Sequence, residues 1–235
     1  MNKTNLILKI IAVYSIWFLI LSTIHIFNEW DNNWKAIILM ALCLVFFWVI
    51  LFWSLQFFFR KKIKLIANIN LNNWKFFFII FTIILALIEE SIAVIMTNMV
   101  EYFWWEIWKA FITAHTNYFI VIFFHSIIIF IPMFFAWMYL LSKYDFKSNQ
   151  VLLLFGITWV IAEITINPIA LISWFWIYVY WLMIALPVYC LPERNVKKPK
   201  YYHYIYAIIL PILFAIPFIP VIIFLNNFFS FESFI

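Results

Sequence analysis

Residues 76–98 read FFFIIFTIILALIEESIAVIMTN, and this stretch decides the fold. Apolar side chains surround the whole helical wheel, so no face is left for water. About 20 such residues wound as a helix cross the hydrocarbon core of a bilayer. Two adjacent acids, Glu89 and Glu90, interrupt the run. A charged side chain at the bilayer centre costs about 3 kcal/mol or more. Those acids therefore predict neighbouring helices that give them a polar interior.

Six further segments of the same kind flank it: 6–27, 36–59, 118–141, 151–167, 169–191 and 204–225. The connections are short and polar, with no second domain. The chain reads as an all-α, polytopic transmembrane helical bundle of about seven spans, one integral membrane domain over 1–235. The apolar stretch 151–191 is too long for one span, and Asn167-Pro168 lies near its centre. Proline removes a backbone donor and biases the preceding residue away from helix. The expectation is a tight hairpin with little or no external loop. The first run contains Lys9 and is followed by bulky and charged residues, so it reads as a retained span, not a cleaved signal.

Charge orients the bundle. The loop 60–75 holds Arg60, Lys61, Lys62, Lys64 and Lys75, which marks it as cytoplasmic. Alternation then places every other basic residue inside except Lys35 and Lys109. Of the acids outside the spans, only Asp145 and Glu193 fall inside. The expectation is a multi-pass cell-membrane protein with its N-terminus inside and C-terminus outside. Trp30, Trp34, Trp104, Trp105, Trp108, Trp174 and Trp176 gather at the outer ends, as an interfacial belt does. The segment 99–117 reads equally as a surface-lying amphipathic helix or an ordinary loop. Pro211, Pro217 and Pro220 predict a kinked seventh span.

Composition agrees. The chain is 69% hydrophobic and 11% charged, where soluble domains are about half apolar and a quarter charged. The lipid bilayer is the partner this implies. The net charge of +5 lies in short loops, so no nucleic-acid partner is expected. With one glycine, Gly156, there is no Gly-rich phosphate loop, hence no nucleotide, and no GxxxG dimer face. Cys43 and Cys190 belong to opposite halves of the bilayer and should not bridge.

The chemistry-bearing residues are buried ones. Glu163 (WVIAEITIN) and His125 (VIFFHSIII) lie inside spans, as Glu89 and Glu90 do. At 1.5 Å per residue, Glu89 and Glu163 sit roughly 18–20 Å from the inner surface. His125, entering from outside, reaches about the same layer. Tyr178 falls at a similar height, and Asn167 lies one turn beyond Glu163 on its face. Glu89 or Glu90, His125 and Glu163 are therefore expected to converge. Glu90, His125 and Glu163 could hold a divalent metal such as zinc with an open water position. A carboxylate beside a histidine can instead activate water directly, or buried acids can carry protons or cations. A hydrogen-bonded cluster that only fixes helix register is the plainest alternative. His25 and His203 read as surface residues, and Ser91 and Ser126 lack the context of a nucleophile.

Glu89-Glu90, then Phe111 to His115 (FxxxH), then Glu163-Ile-Thr-Ile-Asn167 follow the motif order of the CAAX-type intramembrane endopeptidases, which this part of the chain weakly resembles. The resemblance implies a glutamate-activated water, with Glu89 or Glu90 as base and His115 and Asn167 in support. The chain departs from the family pattern. No arginine follows the acidic pair, and Glu163 stands where the third motif has histidine. Three functions thus stay open: an intramembrane hydrolase, a proton- or cation-coupled transporter, and a structural subunit of a membrane complex.

Overall fold

The structure, a computed structural model, describes residues 3–29, 31–67, 72–103, 106, 110, 112–164 and 168–228. Among them there is no strand, only an isolated bridge between Tyr144 and Lys197. The helices are α1 (Lys3–Glu29), α2 (Asn32–Leu44), α3 (Trp53–Ala67), α4 (Trp74–Asn98), α5 (Tyr118–Val121), α6 (Ile127–Lys143), α7 (Ser148–Ile164), α8 (Trp176–Cys190), α9 (Tyr201–Ala215) and α10 (Ile219–Phe228). α2 runs into α3 through a π-helical segment, Val45–Phe52, and α5 into α6 through another, Ile122–Ser126. Among the described residues, 5 continuous helical rods are long and apolar enough to cross a membrane. Ser148–Ile164 and Trp176–Cys190 are shorter apolar helices, completing the expected set. The protein is an all-α integral membrane protein.

Side chains set the helix starts. Asp31 accepts from the Trp34 amide at 3.2 Å, and Asn117 accepts from the Phe119 amide at 2.9 Å. Each satisfies an otherwise orphaned N–H of a first turn. The last span breaks where Pro217 predicts it, in the 3-10 turn Ile216–Phe218 between α9 and α10. The expected tight hairpin at Asn167-Pro168 is corrected. Asn167 lies outside the described residues, and α8 begins at Trp176, not at 169. A 3-10 turn, Pro168–Leu171, comes first. The Trp174 indole then donates to the Leu171 carbonyl at 2.6 Å, and the amides of Trp176, Ile177 and Tyr178 each bond three residues back. The backbone groups freed by the proline are thus recovered gradually. In 99–117 the described residues form a 3-10 turn, Val100–Phe103, and bends from 112, while 104, 105, 107–109 and 111, the middle of the expected surface helix or loop, lie outside the described residues.

α8 is the central element, packed on α3, α4 and α7, while α6 and α9 close the far side of α4 and α7. α1 touches α2 and α7 and leaves Ile10, Val13, Ile16, Trp17 and Ile20 exposed, a lipid-facing surface. The core is aromatic: Trp48, Phe78, Phe134, Trp137 and Phe155 are fully buried. Trp48, on the π segment, donates its indole N–H to the Val179 carbonyl at 2.7 Å and so ties the second rod to α8.

Candidate functional site

α4 carries Glu89 and Glu90 into the bundle, where both are buried (4% and 8% exposed). Consecutive helical residues point about 100° apart, so the pair addresses two neighbours. Glu90 turns toward the start of α6, within interaction range of the Ser126 hydroxyl. Tyr118, within electrostatic reach of Glu90, donates its own hydroxyl to the Leu87 carbonyl at 2.9 Å. Glu89 lies within electrostatic reach of both Glu90 and Tyr180 of α8.

Glu163 comes from the last turn of α7 and is half-buried. Its Oε1 accepts from the Tyr180 hydroxyl at 3.1 Å. Tyr180 is the hub: Glu163, Glu89 and Glu90 all act electrostatically on its hydroxyl. Its ring stacks on Trp159 at 4.5 Å, one turn before Glu163. Phe130 packs beside both, 4.8 Å from Trp159 and 6.3 Å from Tyr180. The Trp159 indole N–H is buried and has no hydrogen-bond partner. One carboxyl, Glu163, therefore bonds the phenol directly, with Glu89 and Glu90 of α4 within electrostatic reach, beside an aromatic wall.

His125 does not join them. It is exposed, on the π-helical turn Ile122–Ser126, with Nδ1 3.4 Å from Ser126 Oγ. That turn lies beside α10. The wider π turn sends Ser126 inward to Glu90 and leaves the histidine outside. Among the described residues, no three of His, Cys, Asp and Glu are grouped so as to hold a metal ion. The donor trio Glu90, His125 and Glu163 is not assembled, and no chemical step is routed through a metal. Tyr178 also faces away: its hydroxyl donates to the Leu8 carbonyl of α1. A shared height along the bilayer says nothing about which way a side chain points.

His115 sits beyond the C-terminal end of α4. Thr97 and Thr113 hydroxyls meet at 3.2 Å, and Asn98 donates to the Thr116 carbonyl at 2.8 Å, so 112–117 is strapped across that end. His115 Nδ1 accepts from the Asn117 amide at 2.8 Å. Partial burial pushes the imidazole below its ordinary range. Thr97 is two helical turns beyond Glu90, so His115 and the acids are about 10 Å apart in height. Phe111 and Asn167, named with it in the motif resemblance, lie outside the described residues.

Three positions escaped the sequence reading. Tyr180 and Ser126 supply the hydroxyls, and only the helix faces single them out. His203 is not a surface residue but buried (8% exposed). Its Nδ1 accepts from the Lys200 amide at 2.8 Å, and its ring lies 4.0 Å from that of Tyr144. The signal was present in the sequence: a proline, Pro199, then, at the third helical position, a side chain able to cap the helix start. No protein-family model, no curated protein and no solved structure matches the chain.

Proposed function

We propose that the protein is a cell-membrane transporter coupled to protons or cations, whose coupling site is the carboxyl cluster of Glu89, Glu90 and Glu163 around Tyr180. The reading rests chiefly on one observation: three carboxyls lie inside the bundle, Glu89 and Glu90 buried on α4 and Glu163 of α7 hydrogen-bonded to Tyr180 of α8. A carboxyl that gains or loses a proton there changes its polar contacts, the Glu163–Tyr180 bond among them, and with them the packing of α4, α7 and α8. Charge transfer in the low-dielectric interior is strongly coupled to such rearrangement. Intramembrane ionisable groups mark proton and ion pathways in pumps and transporters. The proposed orientation, N-terminus inside and C-terminus outside, follows from the basic loops.

The test is flux in reconstituted vesicles under an imposed pH gradient, read with an entrapped pH dye and repeated with sodium or potassium gradients. Wild type should dissipate a gradient, and Glu89→Gln with Glu163→Gln should slow that dissipation at least tenfold. Equal flux in wild type, the double variant and empty vesicles, for every cation tried, rejects transport.

A second reading is kept for the buried Glu89-Glu90 pair: an intramembrane hydrolase in which one of these carboxylates activates water. It carries the motif resemblance, but the His115 and His125 groups it would recruit lie elsewhere. Hydrolysis of a membrane-embedded peptide that is abolished by Glu89→Gln or Glu90→Gln, with no flux in vesicles, would favour it over transport.

A further inference from the structure

A second polar feature lies toward the end of the bundle where α1 and α7 begin and α8 finishes, lined also by the first half of α3, and none of the three carboxyls lines it. There a cavity of about 400 Å³ opens between those four helices. Its polar lining is basic or neutral: Arg60, Lys147, Ser148 and the amides of Asn5, Gln56 and Asn149, with no acid among the lining residues. Trp53, Phe57, Trp181 and Leu152 form its apolar wall.

The cavity is prepared for a ligand it does not supply from its own residues. Gln56 is buried (7% exposed), yet its Nε2 has no hydrogen-bond partner. A buried, unsatisfied amide costs about 1–3 kcal/mol, so a group that accepts from it would be bound favourably. Arg60 is held in place beforehand, its guanidinium 4.1 Å from the Phe57 ring centroid and 5.3 Å from that of Tyr189. Lys147 stands at the start of the 17-residue α7, whose first turn presents backbone N–H groups and the positive end of the helix dipole. Asn149 donates to Asn5 at 2.6 Å and so fastens α1 across one side. Two cations, a free amide donor and a helix start point to an anion with several acceptor oxygens.

We propose that this cavity binds the phosphate headgroup of an anionic phospholipid, its acyl chains lying along the apolar wall toward the bilayer. Arg60 and Lys147 would contact the phosphate oxygens, and the Gln56 amide would donate to the phosphate or glycerol oxygens. A free phosphate has the same oxygens, but it would leave Trp53, Phe57 and Trp181 facing water. Basic pockets between spanning helices at the cytoplasmic side are suited to such headgroups, and the end concerned is the one the charge distribution assigns to the cytoplasm.

Native mass spectrometry of the full-length protein in detergent micelles tests this with three probes: phosphatidylglycerol, phosphatidylcholine and inorganic phosphate. Wild type should retain one phosphatidylglycerol at least tenfold more strongly than phosphatidylcholine. Arg60→Gln with Lys147→Gln should remove that preference. Gln56→Leu removes an unpartnered amide, so it should leave thermal stability unchanged or raised while lowering phosphatidylglycerol retention severalfold; this variant separates binding from folding. Equal retention of both lipids by wild type, or an unchanged preference in the well-folded variants, overturns the proposal. Inorganic phosphate that binds without lipid and displaces phosphatidylglycerol would make the ligand a free phosphate and overturn the lipid assignment.

Discussion

At the residue scale, one hydroxyl gives one of the three acids inside the bundle, Glu163, its polar partner. Tyr180 donates to Glu163 and is held rigidly by its stack on Trp159. Tyr180→Phe keeps the stack and removes the donor, so the cost should be that of an unsatisfied buried carboxyl, about 1–3 kcal/mol. Glu163→Leu removes the acceptor as well. A double-mutant cycle of thermal unfolding in detergent should therefore show strong coupling between the two positions. Additive effects would mean that the bond contributes nothing to stability. His115 offers a separate test beyond the C-terminal end of α4. Its folded-state pKa is lowered by burial, and Nδ1 must stay unprotonated to accept from Asn117. Its stabilising effect is thus present above the ordinary histidine range, near pH 6.5, and is lost as the pH falls through the depressed value. Hydrogen exchange at 112–120, corrected for intrinsic rates, should speed up on acidification from pH 7, and His115→Phe should abolish that pH dependence. An identical pH response in the variant would leave the histidine without this role.

At the element scale, α7 and α8 approach each other closely at the protein's sole glycine. A Cβ built on Gly156 would meet Ile177 Cγ2 at 2.6 Å and Ile177 Cα at 3.1 Å. Because a backbone atom is involved, α7 and α8 must separate to admit it. Gly156→Ala should destabilise by about 1–3 kcal/mol, as overpacking does, and Gly156→Leu by more. Ile177→Ala should relieve only part of the alanine defect, since Cα stays where it is. Unfolding midpoints that are the same for Gly156 and Gly156→Ala would deny the close approach. The sequence showed that no GxxxG pair exists; it could not show that one glycine is enough to bring two helices together. The same limit applies to the site. Hydropathy located Glu89, Glu90 and Glu163 inside spans, and helix rise gave their heights, because both depend on local chain geometry alone. Which faces meet depends on packing across the bundle, and on π turns that shift register by one residue. One residue's rotation separates Ser126 from His125, and two residues' rotation separates Tyr180 from Tyr178.

At the scale of the whole molecule, one end of the bundle is tied by polar side chains and the charge pattern says which side of the membrane it faces. Arg194 reaches from the loop after α8 to the Leu141 carbonyl of α6 and lies over the Trp74 ring at 5.2 Å, at the start of α4. Burial lowers its pKa, and Asp145 opposes the shift. Gln150 donates to Tyr204 at 2.6 Å, joining α7 to α9. These contacts, with Asn5 to Asn149, connect the ends of five rods that alternation places together. The bundle geometry is the same whichever way it is inserted; only the basic residues distinguish the two orientations. Single cysteines at Asn72 and Tyr102, in a background with Cys43 and Cys190 replaced by alanine, should therefore label oppositely. Tyr102→Cys should react with a membrane-impermeant maleimide in intact cells. Asn72→Cys should react only after permeabilisation. The reverse pattern would invert the protein in the membrane. It would also move the proposed phospholipid cavity to the outer leaflet, where its lysine and arginine would meet a different lipid population while every helix contact stayed as it is.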